Sequence, residues 1–352
     1  GKSHLHRDLD ELGYETHLNT DGLKPNDEHA ADLGIRHVPL GLRSDYVAAN
    51  RAAAFLDTWD PEAEDRPLFL TFSTNLPHPP FFLDVDYAGH LPPPESLPLP
   101  ESFDRADWTN KPAFQREHVH DGTHGIFSRA EARTMTHEYY SMIAAMDAHF
   151  GRLIARLKDK GVWEDTFVLF LADHGDMLAA HNTRLKGTLP YDELYRIPMI
   201  VKPARRTALP HVSRCNTLVN SIQTAGTLAR AAGLDSQQWF PHGDLFESVT
   251  DPPPEDEQLS FFEHYGAYWG THPFYGVRSH RWKYVHYYGP DEPDELYDLQ
   301  HDPHELRNLA LDPDHAAIRD KLADAAHTWW RNTDGRDAAY YESEAFRQSG
   351  VE

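Results

Sequence analysis

The sequence predicts an α/β protein in which helices flank a mixed, mostly parallel sheet, with a small antiparallel-sheet subdomain at its C-terminal end. Three observations predict it. The apolar run Phe167-Val168-Leu169-Phe170-Leu171 stops abruptly at Ala172-Asp173-His174-Gly175, and such a run suits a strand buried on both faces. A helical pattern from Ser128 to Lys160 leads into it through Gly161, giving one helix–strand unit. Beyond residue 251 the pattern changes to short strand-like segments, Phe274 to Tyr288 and Glu295 to Leu299, followed by a helix from about His315 to Asn332.

Each element has its own justification. Asp45 to Trp59 places Val47, Ala48, Ala52, Phe55 and Leu56 on one side of a helix. Pro67 to Ser73 reads as a buried strand leading to His78. From Phe82 to about Ser128, proline, histidine and charge follow no period, which predicts a long irregular cover or loop. Ser128-Arg129-Ala130-Glu131 is a capping start for the helix through His137 to Lys160, whose core-facing stripe is read as Tyr140, Ile143, Ala144, Phe150, Leu153, Ile154 and Leu157. Ile197 to Val201 reads as the next strand and Ser221 to Ala232 as a helix. The proline-rich, acidic stretch Asp251 to Glu257 reads as a linker or rigid surface loop, dividing the chain into residues 1–250 and 251–352. Tyr265, Tyr268, Trp269, Phe274 and Tyr275 fit either the lining of a substrate cleft or the core of the smaller part.

Composition narrows the function. In a chain of 352 residues, 40% hydrophobic and 12% aromatic content excludes general disorder. A formal net charge of −23 argues against a nucleic-acid partner and repels anions at long range, so an anion site must be a local positive pocket. No apolar run approaches the roughly 20 residues of a membrane span. The single cysteine, Cys215, forms no internal disulfide, and its natural reading is a free structural thiol. Compartment and oligomeric state are not fixed by the sequence.

The chemistry-bearing residues cluster after the buried strand. Asp173 and His174 sit at its carboxyl end, where open α/β sheets place their chemistry, and both are metal-ligand types. Gly175 lets the backbone turn away, and Lys186 supplies positive charge to an anionic substrate. His181, in the same loop, is a weaker candidate for substrate contact; Asp147 reads as structural, and Glu193 with Arg196 as an ion pair bracing the loop. His118, His120 and His124 lack the carboxylate or cysteine spacing of a defined metal site.

Several segments, in order, resemble the sulfatase family of the alkaline-phosphatase-like superfamily. Gly1-Lys2-Ser3-His4-Leu5 is similar to its Gly-Lys-Trp-His-Leu motif, with Ser3 for Trp. Asn75 to Phe81 resembles its His-Pro segment, Tyr139 to Gly151 its Met-Asp helix, and Asp173-His174-Gly175 with Lys186-Gly187 its later site. Glu295-Leu296-Tyr297-Asp298-Leu299, Asp302-Pro303 and Glu305 through Ala310 resemble its closing signature, whereas Gln223 and Gly226 depart from its Asp-x-x-Pro pattern.

The resemblance implies the alkaline-phosphatase-like fold and hydrolysis of sulfate monoesters, on a small molecule or a carbohydrate, with Ca2+ or another divalent cation. Asp173 and His174 match the later metal ligands, and Lys2 and Lys186 the lysines on the sulfate oxygens. His4 matches the base acting on a formylglycine hydrate, and His78 the general acid near the leaving oxygen. The family's nucleophile lies in Cys-x-Pro/Ala-x-Arg, upstream of the Gly-Lys motif, whereas Cys215 is followed by Asn216-Thr217-Leu218-Val219. The chain is therefore expected to lack an upstream segment of the family and to be inactive by itself. Phosphonate monoester or phosphodiester hydrolysis, and a non-catalytic remnant that binds anions or partners, are the alternatives.

Overall fold

The computed structural model describes residues 14–16, 44–120, 125, 128–186, 188–207, 214–234, 239–264, 272–288, 292–336, 339–340 and 343–344. Its helices are α1 (Ser44–Thr58), α2 (Ala113–His120), α3 (Arg129–Asp159), α4 (Asp192–Tyr195), α5 (Gln223–Ala231), α6 (Leu245–Thr250) and α7 (Ala316–Asn332). Its strands are β1 (Val168–Leu171), β2 (Met199–Lys202), β3 (Ser260–His264), β4 (Phe274–Arg278), β5 (Trp282–Tyr287) and β6 (Glu295–Asp298). They form two compact units: Gly1–Leu99 with Phe127–Val168 and Ala204–Arg206, and Pro100–Ile126 with Leu169–Pro203 and Thr207–Glu352.

In the first unit α1 packs on α3, burying Ala48, Ala49, Ala52, Ala53 and Leu56. Small side chains let the two helices approach closely. α3 starts at a true cap: Glu131 N donates to Ser128 Oγ at 3.1 Å, and that hydroxyl donates to the Glu131 carboxylate at 2.7 Å. The buried stripe of α3 is Ala132, Met135, Thr136, Ser141, Met142, Ala145, His149 and Leu153, so of the expected stripe only Leu153 is fully buried and Tyr140 is exposed. Apolar periodicity misses this face because part of it is polar; Ser141 Oγ accepts from Asp84 N at 2.8 Å and so can be buried. Residues 67–73 are not a strand: no ladder forms there among the described residues, and Phe69 is 64% exposed. Nor is the stretch from Phe82 structureless, since it holds three short 3-10 turns and α2.

In the second unit β1 pairs with β2, and β3-β4-β5-β6 form an antiparallel sheet with α7 packed on β4 and β5. Alternation gives that sheet two apolar faces. Phe274, Val285, Tyr287 and Tyr297 join Phe114, Met177, Tyr191 and Leu194 in one core; Tyr275, Val277, Tyr284 and Leu296 join Leu322 and Ala326 in another. Phe274 and Tyr275 are thus core residues rather than cleft lining, while Tyr265, Tyr268 and Trp269 lie outside the described residues. Gly276 lies opposite Phe262 and Val285, and a Cβ there would strike the Phe262 ring and the Tyr284 carbonyl. α5 begins at Gln223, and the acidic stretch holds a 3-10 turn at Glu255–Glu257. Cys215 is exposed, with Sγ 3.7 Å from the Ser248 carbonyl oxygen. No described helix is long and apolar enough to cross a membrane.

Candidate functional site

The chain leaves β1 at Leu171 and reaches Asp173 and His174 two and three residues on. Asp173 Oδ1 accepts from the His174 amide at 2.9 Å, which folds its carboxylate back toward the imidazole, 3.6 Å from Nε2. The carboxylate itself is 87% exposed. His174 Nδ1 lies 2.7 Å from the Gly175 carbonyl oxygen, which can only accept; the ring is therefore protonated at Nδ1 and carries its lone pair on Nε2. Lys186 Nζ donates to that lone pair at 2.9 Å. Asp173, His174 and Lys186, read from the sequence as one site, are brought together.

The turn is held from behind. Gly175 N donates to Leu194 O at 2.9 Å, and a Cβ on Gly175 would overlap the Glu193 carbonyl oxygen, so only glycine fits against α4. Asp176 Oδ1 accepts from Leu178 N at 2.9 Å and Leu185 N at 3.2 Å, closing the loop that returns the chain to Lys186. Burial pushes the Asp176 carboxyl up, against those two amides and the positive charge of Lys186. Within the loop Leu178, Ala179, His181, Asn182 and Leu185 all have positive φ, a conformation unfavourable to residues with a Cβ. The surrounding contacts, not the local sequence, hold it there.

His181 does not face a substrate. It is fully buried, stacked on Tyr191 at 4.1 Å between ring centroids, and burial lowers its pKa well below the usual imidazole value. Nor do Glu193 and Arg196 form the expected brace. The ion pairs at α4 fall to Asp192, which meets Arg278 Nη2 at 2.9 Å and Lys283 Nζ at 3.3 Å. Lys283 also meets Glu305 at 2.6 Å, and Glu305 accepts from the Asp192 amide at 2.7 Å. Lys111, from the stretch expected to be irregular, is buried in the same unit and donates to Tyr191 at 3.0 Å and the Glu305 carbonyl at 2.7 Å. Sequence reasoning missed this frame; the signal was there in charged residues inside the Glu295–Ala310 signature.

His78 belongs to the first unit, where the turn it occupies is tied to α1 by Asn75 N donating to Asp45 Oδ1 at 2.7 Å. Its Nδ1 donates to the Pro79 carbonyl at 2.6 Å. Lys2, His4 and His124 lie outside the described residues, as do the side chains of His118 and His120. No group of three His, Cys, Asp or Glu that could hold a cation occurs among the described residues. Asp173 and His174 fit a divalent cation as two donors, one exposed carboxylate and one imidazole Nε2, and not as a complete set.

Known proteins match this chain over most of its length. The family model described as Sulfatase matches residues 7–234, and that of the N-sulphoglucosamine sulphohydrolase C-terminal region matches residues 186–330. The multifunctional alkaline phosphatase superfamily protein PehA of Trinickia caryophylli is 26% identical over 94% of this chain and 68% of its own length. The choline-sulfatase of Rhizobium meliloti (strain 1021) is 30% identical over 85% of this chain and 57% of its own. The structure of a phosphonate monoester hydrolase from Silicibacter pomeroyi superposes with a TM-score of 0.68 at 24% identity, covering 94% of this chain and 68% of that one. The chain spans little more than half the length of several of its curated relatives, 56% and 54% in two others.

Proposed function

The chain belongs to the sulfatase family, with its alkaline-phosphatase-like α/β fold, and from that membership we propose that it forms the larger part of a hydrolase of sulfate monoesters. The observation that carries the reading is the contact of Lys186 with His174 beside the exposed Asp173 carboxylate, one cation and two cation ligands at one strand end. We assign residues 1–250 to the catalytic α/β part and 251–352 to a C-terminal subdomain.

A sulfate ester leaves slowly in water, so the site must offset charge on the sulfuryl oxygens as the ester bond breaks. Lys186 does this. Asp173 and His174 would hold a divalent cation, Ca2+ or another hard ion, which would supply Lewis-acid stabilisation of the oxygens. His174 Nε2 has one lone pair, so a cation there and the hydrogen bond from Lys186 exclude one another. His78, whose tautomer the Pro79 carbonyl fixes, serves as the acid for the leaving oxygen after taking a proton on Nε2. Lys2 joins Lys186 at the sulfate, and His4 acts as base toward the nucleophile, a formylglycine whose Cys-x-Pro/Ala-x-Arg motif does not occur in residues 1–352. The substrate class is a small-molecule or carbohydrate sulfate ester: the choline-sulfatase relative supports the sulfate ester, and the match across residues 186–330 to a family named for a sulphated sugar supports a carbohydrate. Phosphonate monoester hydrolysis is the second reading, favoured by the multifunctional relative, because the same cation and lysine serve a phosphonate equally.

The test is turnover of p-nitrophenyl sulfate against p-nitrophenyl phenylphosphonate, with Ca2+, by the protein translated from the complete reading frame. Faster sulfate hydrolysis, reduced roughly 100- to 1,000-fold in kcat by Lys186→Ala, supports the first reading. Preference for the phosphonate selects the second, and no turnover of either ester overturns both.

A further inference from the structure

α4 is only four residues long, too short to be stable alone, yet its backbone is what the Asp173–His174–Gly175 turn rests on. Its carboxyl end grips that turn: Leu194 O accepts from Gly175 N at 2.9 Å, and Glu193 O fills the space a Cβ of Gly175 would need. Its amino end is gripped in turn by the antiparallel sheet. Asp192 accepts from Arg278 of β4 at 2.9 Å and meets Lys283 of β5 at 3.3 Å, and its amide donates to Glu305 at 2.7 Å. Lys283 and Glu305 are both wholly buried, and their ion pair at 2.6 Å closes the cluster.

We propose that Asp192, Lys283 and Glu305 are positioning residues for the Asp173–His174 pair, carrying the placement of the candidate site from the sheet through α4. The assignment of a site to Asp173 and His174 rests on the hydrolase reading; the mechanical coupling does not.

The experiment is Asp192→Asn in the full chain, which keeps the side-chain shape and leaves the Lys283–Glu305 pair in place. Two readouts need neither cation nor ester: hydrogen exchange at the Gly175 amide, and the imidazole nitrogen shifts of His174, which report the Nδ1-protonated tautomer. The expected result is at least about tenfold faster exchange at Gly175 and an altered His174 signature, with the Val277 and Val285 amides unchanged. Glu305→Gln is expected to give the same pattern, and Arg278→Gln, at a partly exposed position, gives it should either of the first two variants fail to fold. Unchanged exchange at Gly175 overturns the proposal, and so does an equal rise at Gly175, Val277 and Val285, the mark of general destabilisation. Because no ester is involved, failure here is distinct from failure of the hydrolase reading, which the turnover assay decides.

Discussion

Gly175 carries no side chain because of what lies eighteen residues further along, where the carbonyl of Glu193 fills the space of a Cβ. Gly175→Ala therefore forces the turn off α4; we expect a loss of about 1–3 kcal/mol, read as a lower urea midpoint, together with weaker binding of any ion held by His174. The neighbouring residues show what the sequence could reveal at this scale. Asp173, His174 and Lys186 are legible because three chemical types follow an apolar run, and that order is local; the run itself is only half-buried, with Leu171 exposed, and not the strand covered on both faces that its composition suggests. His181 is not, because its burial is decided by Tyr191 and by Trp108, whose ring centroid lies 6.1 Å away. The left-handed residues Leu178, Ala179 and Leu185 are also unreadable, since nothing in their identity favours that conformation.

Among the elements, α3 depends on its first turn. Ser128→Ala removes the acceptor of Glu131 N and is expected to cost about 1 kcal/mol by urea unfolding, while Ser128→Gly costs only a few tenths. The end of β3 confers a pH dependence. His264 stacks on Phe274 at 5.3 Å, and burial, with a smaller contribution from His272, lowers its pKa to about 4. Between about pH 6.5 and 4 the unfolded chain takes up a proton at this residue that the folded chain refuses, so stability falls as pH falls through that window. His264→Phe should remove at most about 3 kcal/mol of that pH dependence, measured as urea midpoints across pH 4–7; an unchanged profile would assign it to other groups. Such effects are hidden from periodicity, as is the outcome at residues 67–73, which join no ladder among the described residues, because a strand is defined by a partner elsewhere in the chain.

Over the whole molecule, the net charge of −23 opposes compaction, and exposed acidic side chains repel one another at low ionic strength. Raising NaCl from about 10 mM to 0.5 M is expected to raise the thermal midpoint by a few degrees, because the Debye length shrinks from roughly 30 Å to a few ångströms. The same screening should strengthen binding of inorganic sulfate at first, as long-range repulsion is removed faster than the local attraction of Lys186; calorimetry along a salt series checks both. At this scale the α/β class, the helix–strand unit ending at Leu171 and the antiparallel C-terminal sheet were legible from alternation and apolar runs. The frame of Lys111, Asp192, Lys283 and Glu305 was not, because charged residues ordinarily read as surface and only the hydrogen bonds and ion pairs they make in the fold let them be interior.

Cys215 gives the molecule a practical address. It is the chain's single thiol and it is exposed, so a maleimide-linked fluorophore or spin label attaches at one known point without any engineering. The same sulfur can join two copies under oxidising storage, producing a species of doubled mass on a non-reducing gel that reductant, or Cys215→Ser, abolishes.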